Sequence, residues 1–214
     1  MSRIIDQGLE EQSVLITRMA ELTYETLALA IQGYLKGKSV QDDVKEMSDM
    51  LVAMADKVED KTFELIARFQ PVASDLRTIK SYMKIGNDFA RYGRYSLDIS
   101  FINDQVNGLK ECEAWVKDYI SEMSEKVLLM AKISIDSLRK YDINLAKTIS
   151  KTEREVDKMY IDYLQKLIFV EQANSKCLIS SALMTRYLER IADHATYICE
   201  SVVYIVTGEK LALG

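Results

Sequence analysis

The chain contains few of the residues that interrupt helices. Of its 214 residues, only Pro71 is a proline and eight are glycines. Because proline and glycine are the strongest local breakers, their scarcity favours long helices. Neither a run of alternating apolar and polar residues nor an Asn-Gly or Asp-Gly turn predicts a hairpin of strands. The sequence therefore predicts an all-α fold.

Long apolar runs are missing as well. No window reaches the roughly 18 uninterrupted apolar residues that cross a bilayer. Acidic residues at Asp6, Glu10 and Glu11 occupy the stretch where a secretory signal needs an apolar core, so we expect no cleaved signal. The net charge is −5, with both signs mixed along the chain, which argues against nucleic-acid binding. We expect a cytoplasmic protein that meets a membrane only through its partners.

Residues for nucleophilic and acid–base chemistry are scarce. His194 is the single histidine, which leaves few candidates for general acid–base catalysis. The Glu-x-x-His pairs of ferritin-like di-iron sites are absent, and so are the glycine-rich loops that hold phosphates. Cys112, Cys177 and Cys199 are far apart and form no CxxC pair, so we expect three reduced, buried thiols. We expect a protein that is not an enzyme.

Apolar residues recur at steps of three or four along most of the chain, which is the spacing of one helix face. Ser39 is predicted to cap the N-terminus of a helix, and Gly208 to end the last one. Six helices of about 25 to 35 residues result, each on the order of 40 to 50 Å long. The breaks between them are predicted at 33–39, 70–71, 103–108, 140–144 and 172–175.

The two halves of the chain resemble each other. Residues 57–66 resemble residues 151–160, aligning Glu59 with Glu153, and residues 88–95 resemble residues 187–194, aligning Arg91 with Arg190. A repeat of this length is typical of duplicated helical units. We therefore predict two tandem three-helix bundles, over residues 1–106 and 107–214.

Two pairs of carboxylates are candidates for a metal site. Glu153 and Asp157 are four residues apart, as are Glu189 and Asp193, so each pair projects from one helix face. The pairs fall on consecutive antiparallel helices, where four carboxylates can converge. Oxygen ligands favour magnesium, calcium, manganese or iron over a thiolate-type zinc site.

A solvated helix face is the alternative interpretation. Glu189 and Asp193 lie away from the apolar stripe of their helix and near Glu200, which favours that alternative, whereas Glu153 and Asp157 lie nearer a stripe edge. The same spacing occurs in pairs that we expect to face water: Asp6/Glu10, Glu21/Glu25, Asp42/Glu46, Asp56/Asp60, Asp60/Glu64 and Asp118/Glu122.

Ordinary ion pairs offer another alternative. Arg154 and Arg190 can neutralise the acids without a metal. His194 projects to a different side of its helix from Asp193, and we expect it at the surface or at an interface.

The segment RYLERIADHATYICESVVYIVTGE (186–209) resembles the PhoU family of phosphate-uptake regulators, in which Leu-Glu-Arg-Ile-Gly-Asp-His-Ala runs into a hydrophobic helix. Ala192 takes the usual glycine place. Two further stretches fit, RFQPVASDLRTIKSYMKIGNDFARYG (68–93) and EREVDKMY (153–160). With the length and the repeat, the resemblance covers nearly the whole chain.

The resemblance implies two three-helix bundles and metal clusters held by ExxxD-type motifs in each repeat. Carried over to this chain, Glu153, Asp157, Glu189 and Asp193 are the implied metal ligands. In the first repeat Glu59 remains, but the other three acidic positions hold Phe63, Ala90 and Arg94. We therefore expect one metal site, with iron, manganese, zinc or magnesium as the candidate ion.

The resemblance also implies a role in phosphate homeostasis. Such a protein would contact the ATPase subunit of a phosphate ABC transporter and a sensor histidine kinase, and restrain uptake when phosphate is ample. The alternatives are a metal-binding adaptor of another transporter or regulator and, less favoured, a metalloenzyme. We also expect a homodimer, because elongated bundles expose long helix faces and tyrosine is favoured at interfaces.

Overall fold

The computed structural model of the chain describes residues 4–170 and 174–214. The described residues form six long helices and one short helix, and they contain no strand. The predicted all-α fold is confirmed. The helices are α1 (Ile4–Lys36), α2 (Gln41–Phe69), α3 (Ala73–Val106), α4 (Ala114–Lys140), α5 (Ile143–Lys147), α6 (Ile149–Ile168) and α7 (Ser175–Thr207).

The long helices pack as two groups of three. Helices α1, α2 and α3 pack against one another, and α4, α6 and α7 do the same. Contacts of α3 with α7 and of α1 with α4 join the two groups, while α5 lies on α4, α6 and α7. One apolar core runs through both groups, because buried residues of all seven helices belong to a single contiguous cluster.

The fifth predicted helix differs from the structure. It is split into α5 and α6 at Thr148, and α6 has 20 residues, which is shorter than predicted. Asp142 caps α5, because its Oδ1 accepts a hydrogen bond from the Leu145 N–H at 3.0 Å. The Thr148 hydroxyl donates back to the Leu145 carbonyl at 2.6 Å and closes this single turn.

Gly33, expected in a break, lies within α1, which runs on to Lys36. Two other glycines, Gly108 and Gly208, follow helices and adopt a left-handed backbone. Gly108 follows α3 with a φ of 58°, and a Cβ there would lie 2.1 Å from the Tyr34 carbonyl oxygen, so only glycine fits. Gly208 ends α7 as predicted, with a φ of 78° and its N–H donating to the Tyr204 carbonyl at 2.9 Å.

The prediction that Ser39 caps α2 is wrong. Val40 is the cap residue, and the Ser39 hydroxyl instead donates to Asp104 Oδ2 on α3 at 2.9 Å. The last predicted break includes Gln172, which lies outside the described residues. Helix α7 begins at Ser175, where the Asn174 side chain accepts a hydrogen bond from the Lys176 N–H at 3.0 Å.

The prediction of three reduced thiols is wrong for two of them. Cys112 and Cys177 form a disulfide between the α3–α4 connection and the start of α7, with their Cα atoms 5.4 Å apart. Cys199 is free and buried in α7. The pair could not be predicted from sequence because 65 positions separate its members.

Among the described residues, no helix is both long enough and apolar enough to cross a membrane.

The disulfide is tested by counting thiols. Denatured protein kept from reductant should react at one thiol, Cys199, and at three after reduction. The double variant Cys112→Ser/Cys177→Ser should lose about 4 kcal/mol of unfolding free energy, because the link restrains a long loop in the unfolded chain. Denaturant titration measures this loss, and adding reductant to the variant is the control. Three reactive thiols without reductant would contradict the link.

Candidate metal centre

Three carboxylates converge where α6 packs against α7. Glu153 and Asp157 are one turn apart on α6, and Asp193 lies on the facing surface of α7. Each can offer one oxygen such that all three oxygens lie within 4.8 Å of one another. In the described part of the chain, no other set of three acidic, cysteine or histidine side chains meets this criterion. The structure thus brings together three of the four predicted ligands.

The cluster is buried at one end and open at the other. Glu153 is 7% exposed, Asp193 is half-buried and Asp157 is exposed. A hard divalent cation held by a few carboxylates usually keeps some of its water ligands, so one open side suits it. The arrangement is able to hold such an ion by its oxygen atoms.

The negative charges of the cluster are poorly compensated. Burial and the nearby Asp157 charge together raise the pKa of Glu153 to about 7, while Arg154 offsets them only in part. Burial also raises the pKa of Asp193. The negative charge of Asp157 raises this pKa as well, while the positive charge of Arg190 lowers it. A bound cation would favour the ionised form of every member and relieve this repulsion.

Glu189 stands apart from the three converging acids. Arg186 Nη1 donates to both of its carboxylate oxygens, at 2.7 and 2.6 Å. This ion pair differs from those considered for Arg154 and Arg190. Burial raises the pKa of Glu189, and the Asp193 charge adds to the effect. Glu189 as a metal ligand therefore stays a prediction, which requires its carboxylate to leave Arg186.

The alternative interpretation of a solvated face does not fit Glu189 and Asp193. The Glu189 side chain is 14% exposed and Asp193 is half-buried. Helix α6 packs against this side of α7 and covers it. A helical wheel of α7 alone misses this contact because it shows only the most apolar stripe.

His194 joins α7 to α3. Its Nδ1 lies 2.8 Å from Asp88 Oδ1, and the two side chains are 15% and 8% exposed. The ring also packs at 5.8 Å from the ring of Tyr95 and 5.5 Å from that of Tyr197. The interface at which His194 lies is therefore one between two helices of this chain, α3 and α7. Asp88 could not be found from sequence, since nothing in its spacing marks it as a partner.

The residues after α7 also reach the cluster. The Leu213 N–H donates to Glu200 Oε1 at 3.1 Å, and the Leu213 side chain is buried. A Cβ on Gly214 would lie 2.9 Å from Glu153 Oε1, so the backbone of Gly214 packs beside the most buried acid. Residues 209–214, here called the tail, thus run back along α7. Sequence analysis missed this contact, for which the apolar Leu213 is the one available signal.

The corresponding positions of the first half look different. Glu59 and Phe63 are exposed on α2, with Phe63 at 57%, and Arg94 is exposed on α3. Ala90 offers no ligand atom. The prediction that the first half binds no metal is untested and stays a prediction.

The fold and the acidic cluster can now be set against known proteins. The PhoU domain family model matches the chain twice, over residues 16–102 and 120–202. The chain belongs to the PhoU domain family. The predicted resemblance to the PhoU family is confirmed.

Similar proteins match from end to end. A phosphate-specific transport system accessory protein PhoU homolog of Clostridium acetobutylicum is 29% identical over 99% of this chain and 98% of its own. A Thermotoga maritima PhoU homolog is 27% identical over 92% of this chain and 86% of its own. The crystal structure of PhoU from Pseudomonas aeruginosa superposes with a TM-score of 0.90 at 25% identity, covering 96% of this chain and 100% of that one.

A second solved structure supports the fold alone. The phosphate transport system regulatory protein PhoU from Streptococcus pneumoniae matches with a TM-score of 0.74 at 22% identity, over 97% of this chain and 99% of that one. The predicted PhoU-like arrangement of helices is confirmed by both structures.

Removing one charge from the cluster should stabilise the metal-free protein. Because the pKa of Glu153 is raised in the folded state, its ionisation lowers the free energy of unfolding as pH rises from 4.5 to about 7. Glu153→Gln should therefore add about 1 to 2 kcal/mol to the unfolding free energy above that window, since one pKa unit is worth about 1.4 kcal/mol and solvent weakens the effect.

Denaturant unfolding of chelator-treated protein at pH values above and below the window measures this gain, which should vanish at the acidic end. Glu46→Gln, which neutralises an exposed acid of α2, is the matched control and should change little at either pH. A loss of stability in Glu153→Gln at alkaline pH would contradict uncompensated repulsion.

Proposed function

We propose that this chain is a cytoplasmic regulator of phosphate uptake that acts by binding proteins and carries a carboxylate metal site in its second repeat. It would lower the activity of a phosphate ABC transporter, and of the associated signalling, when phosphate is ample. The observation that carries the proposal is the end-to-end match to proteins named as accessory to phosphate-specific transport systems, over 99% of this chain for the Clostridium protein.

The metal site of the proposal consists of Glu153, Asp157 and Asp193, with Glu189 as a fourth ligand once it is released from Arg186. The poorly compensated acidic charge supports it, because a cation would supply the missing positive charge. Iron, manganese, zinc and magnesium are the candidate ions, and carboxylate oxygens suit the hard ions best. The ion would hold α6 to α7 and so fix the surface around the cluster.

The proposed partners are the ATPase subunit of the transporter and a sensor histidine kinase. We further propose that the chain is a homodimer and that its repeats divide at residues 106 and 107. Large apolar side chains exposed on the surface support a protein-binding role: Phe63, Phe101, Ile168 and Phe169 are each more than half exposed. No step of this role requires catalysis.

An adaptor of another transporter is the second candidate. The observation in its favour is the first repeat, where Phe63 and Arg94 replace acids that the family motif implies. A chain that binds one metal cluster instead of two presents a different surface on α2 and α3. The two candidates share the fold and the metal site, and they differ in the partner.

The metal site is tested by metal content. Protein purified without chelator or histidine tag should contain bound metal that Asp157→Asn/Asp193→Asn loses, because two of three converging ligands become neutral. The matched control is Asp56→Asn/Asp60→Asn, which removes an exposed pair of the same spacing from α2. Mass spectrometry of metals reads out both. Metal absent from wild type, with a melting temperature that added ions leave unchanged, would overturn the site.

The partner is tested in cells. Loss of the chain should raise phosphate uptake in phosphate-rich medium, because its restraint on the transporter is gone, and the tagged chain should co-purify with the transporter ATPase. Radiolabelled phosphate uptake measures the first effect, and a strain carrying the wild-type chain on a plasmid is the control. Unchanged uptake together with capture of a different transporter's ATPase would favour the adaptor.

A further inference from the structure

A basic groove lies at the opposite end of α7 from the disulfide and outside the acidic cluster. It is formed where α3, the end of α7 and the tail meet, and it encloses about 310 Å³. That size is at the small end for ligand sites. The residues that define it here are Lys80, Ser81 and Lys84 of α3, Ser201 and Tyr204 of α7, and Lys210 of the tail.

The groove gathers more positive than negative charge. Lys80, Lys84 and Lys210 line it together with one acid, Glu200. Glu200 already accepts a hydrogen bond from the Leu213 N–H at 3.1 Å, which fixes it to the tail. Two lysines four residues apart on a helix repel each other, so Lys80 and Lys84 gain from an anion between or beside them.

A further cation stands at the end of the groove. Arg77 lies one turn before Lys80 on α3, and its Cζ would be 3.5 Å from a Cβ placed on Gly208, where the tail leaves α7. The Nε atom of Arg77 is buried and has no hydrogen-bond partner among residues 4–170 and 174–214. Arg77 is not among the residues that line the groove, so it adds positive charge beside the groove and no ligand contact.

Neutral donors complete the lining. The Ser201 hydroxyl donates to the Tyr197 carbonyl at 2.8 Å, and Ser81 and Tyr204 are the other hydroxyl-bearing residues of the lining. Lys84 is steadied by its Nζ lying 5.3 Å from the centre of the Tyr197 ring. Several ammonium groups with hydroxyl donors are the chemistry that recognises a phosphoryl group, for which lysine serves as a point charge.

We propose that this groove binds a phosphoryl oxyanion, with Lys80, Lys84 and Lys210 as its charged ligands and Arg77 at its edge. The inference is independent of the acidic cluster, since none of these residues belongs to it. Because Lys210 is on the tail, whose last residue packs beside Glu153, a bound anion would draw the tail towards α3.

The test is calorimetric titration of the full chain at neutral pH and low salt, with inorganic phosphate in one arm and a nucleoside triphosphate in the other. Saturable binding of inorganic phosphate identifies the free ion as ligand, and binding of the nucleotide alone identifies a phosphoryl group carried on a larger molecule. Absence of binding in both arms overturns the proposal.

Variants of opposite effect exclude a general folding defect. Lys80→Gln/Lys84→Gln should weaken binding on the order of tenfold or more, because charge-assisted hydrogen bonds are lost. Glu200→Gln keeps an acceptor for the Leu213 N–H but removes the acid, and it should tighten binding. The control Lys45→Gln/Lys57→Gln removes two exposed lysines of α2 and should leave affinity unchanged. If all three variants bind the anion with equal affinity, the proposal that the groove is the binding site is wrong.

The acidic cluster is separated from the groove by one more variant. Asp157→Asn/Asp193→Asn should bind the anion as wild type does, even if it has lost its metal. Loss of anion binding in this variant would show that the anion is held through a metal, and it would overturn the groove as the site. The proposed metal site and the groove can therefore fail separately.

Discussion

The packing of α7 is the constraint on which the rest of the structure depends. This helix contacts α3, α4, α5 and α6, so nearly half of its residues are buried along several directions. Small side chains such as Ala192 and Ala195 let neighbouring helices come close. Because α7 is surrounded, two of its polar residues lie at junctions with other helices: His194 lies against Asp88 of α3, and Asp193 approaches Glu153 of α6.

The two charged regions form where α7 meets different neighbours. The acidic cluster forms on the α6 side, where three carboxylates meet with little compensation. The basic groove forms on the α3 side, where the lysines of that helix meet the end of α7. The tail contacts both, through Lys210 at the groove and Gly214 beside Glu153.

The sequence was enough to predict the helices and most of their limits, because one proline and a few glycines interrupt an otherwise regular apolar spacing. Glu153 and Asp157 were predictable as a pair from their spacing, and their approach to Asp193 from the antiparallel order of the predicted helices. What failed depended on contacts between distant residues. Ser39 bonds Asp104 instead of its own helix, Cys112 pairs with Cys177, and Asp88 is the partner of His194. Spacing along one helix carries no information about such partners.

The disulfide has a consequence for partial unfolding. It closes a covalent loop that contains α4, α5 and α6, while α7 begins just inside it at Ser175. Glu153 and Asp157 lie within this loop, and Asp193 lies beyond it on α7. If the segment from α4 to α6 opens as a local unit, the start of α4 stays tethered to the start of α7, so the segment searches a smaller volume before it closes again. The disulfide therefore shortens the time for which Glu153 and Asp157 are separated from Asp193.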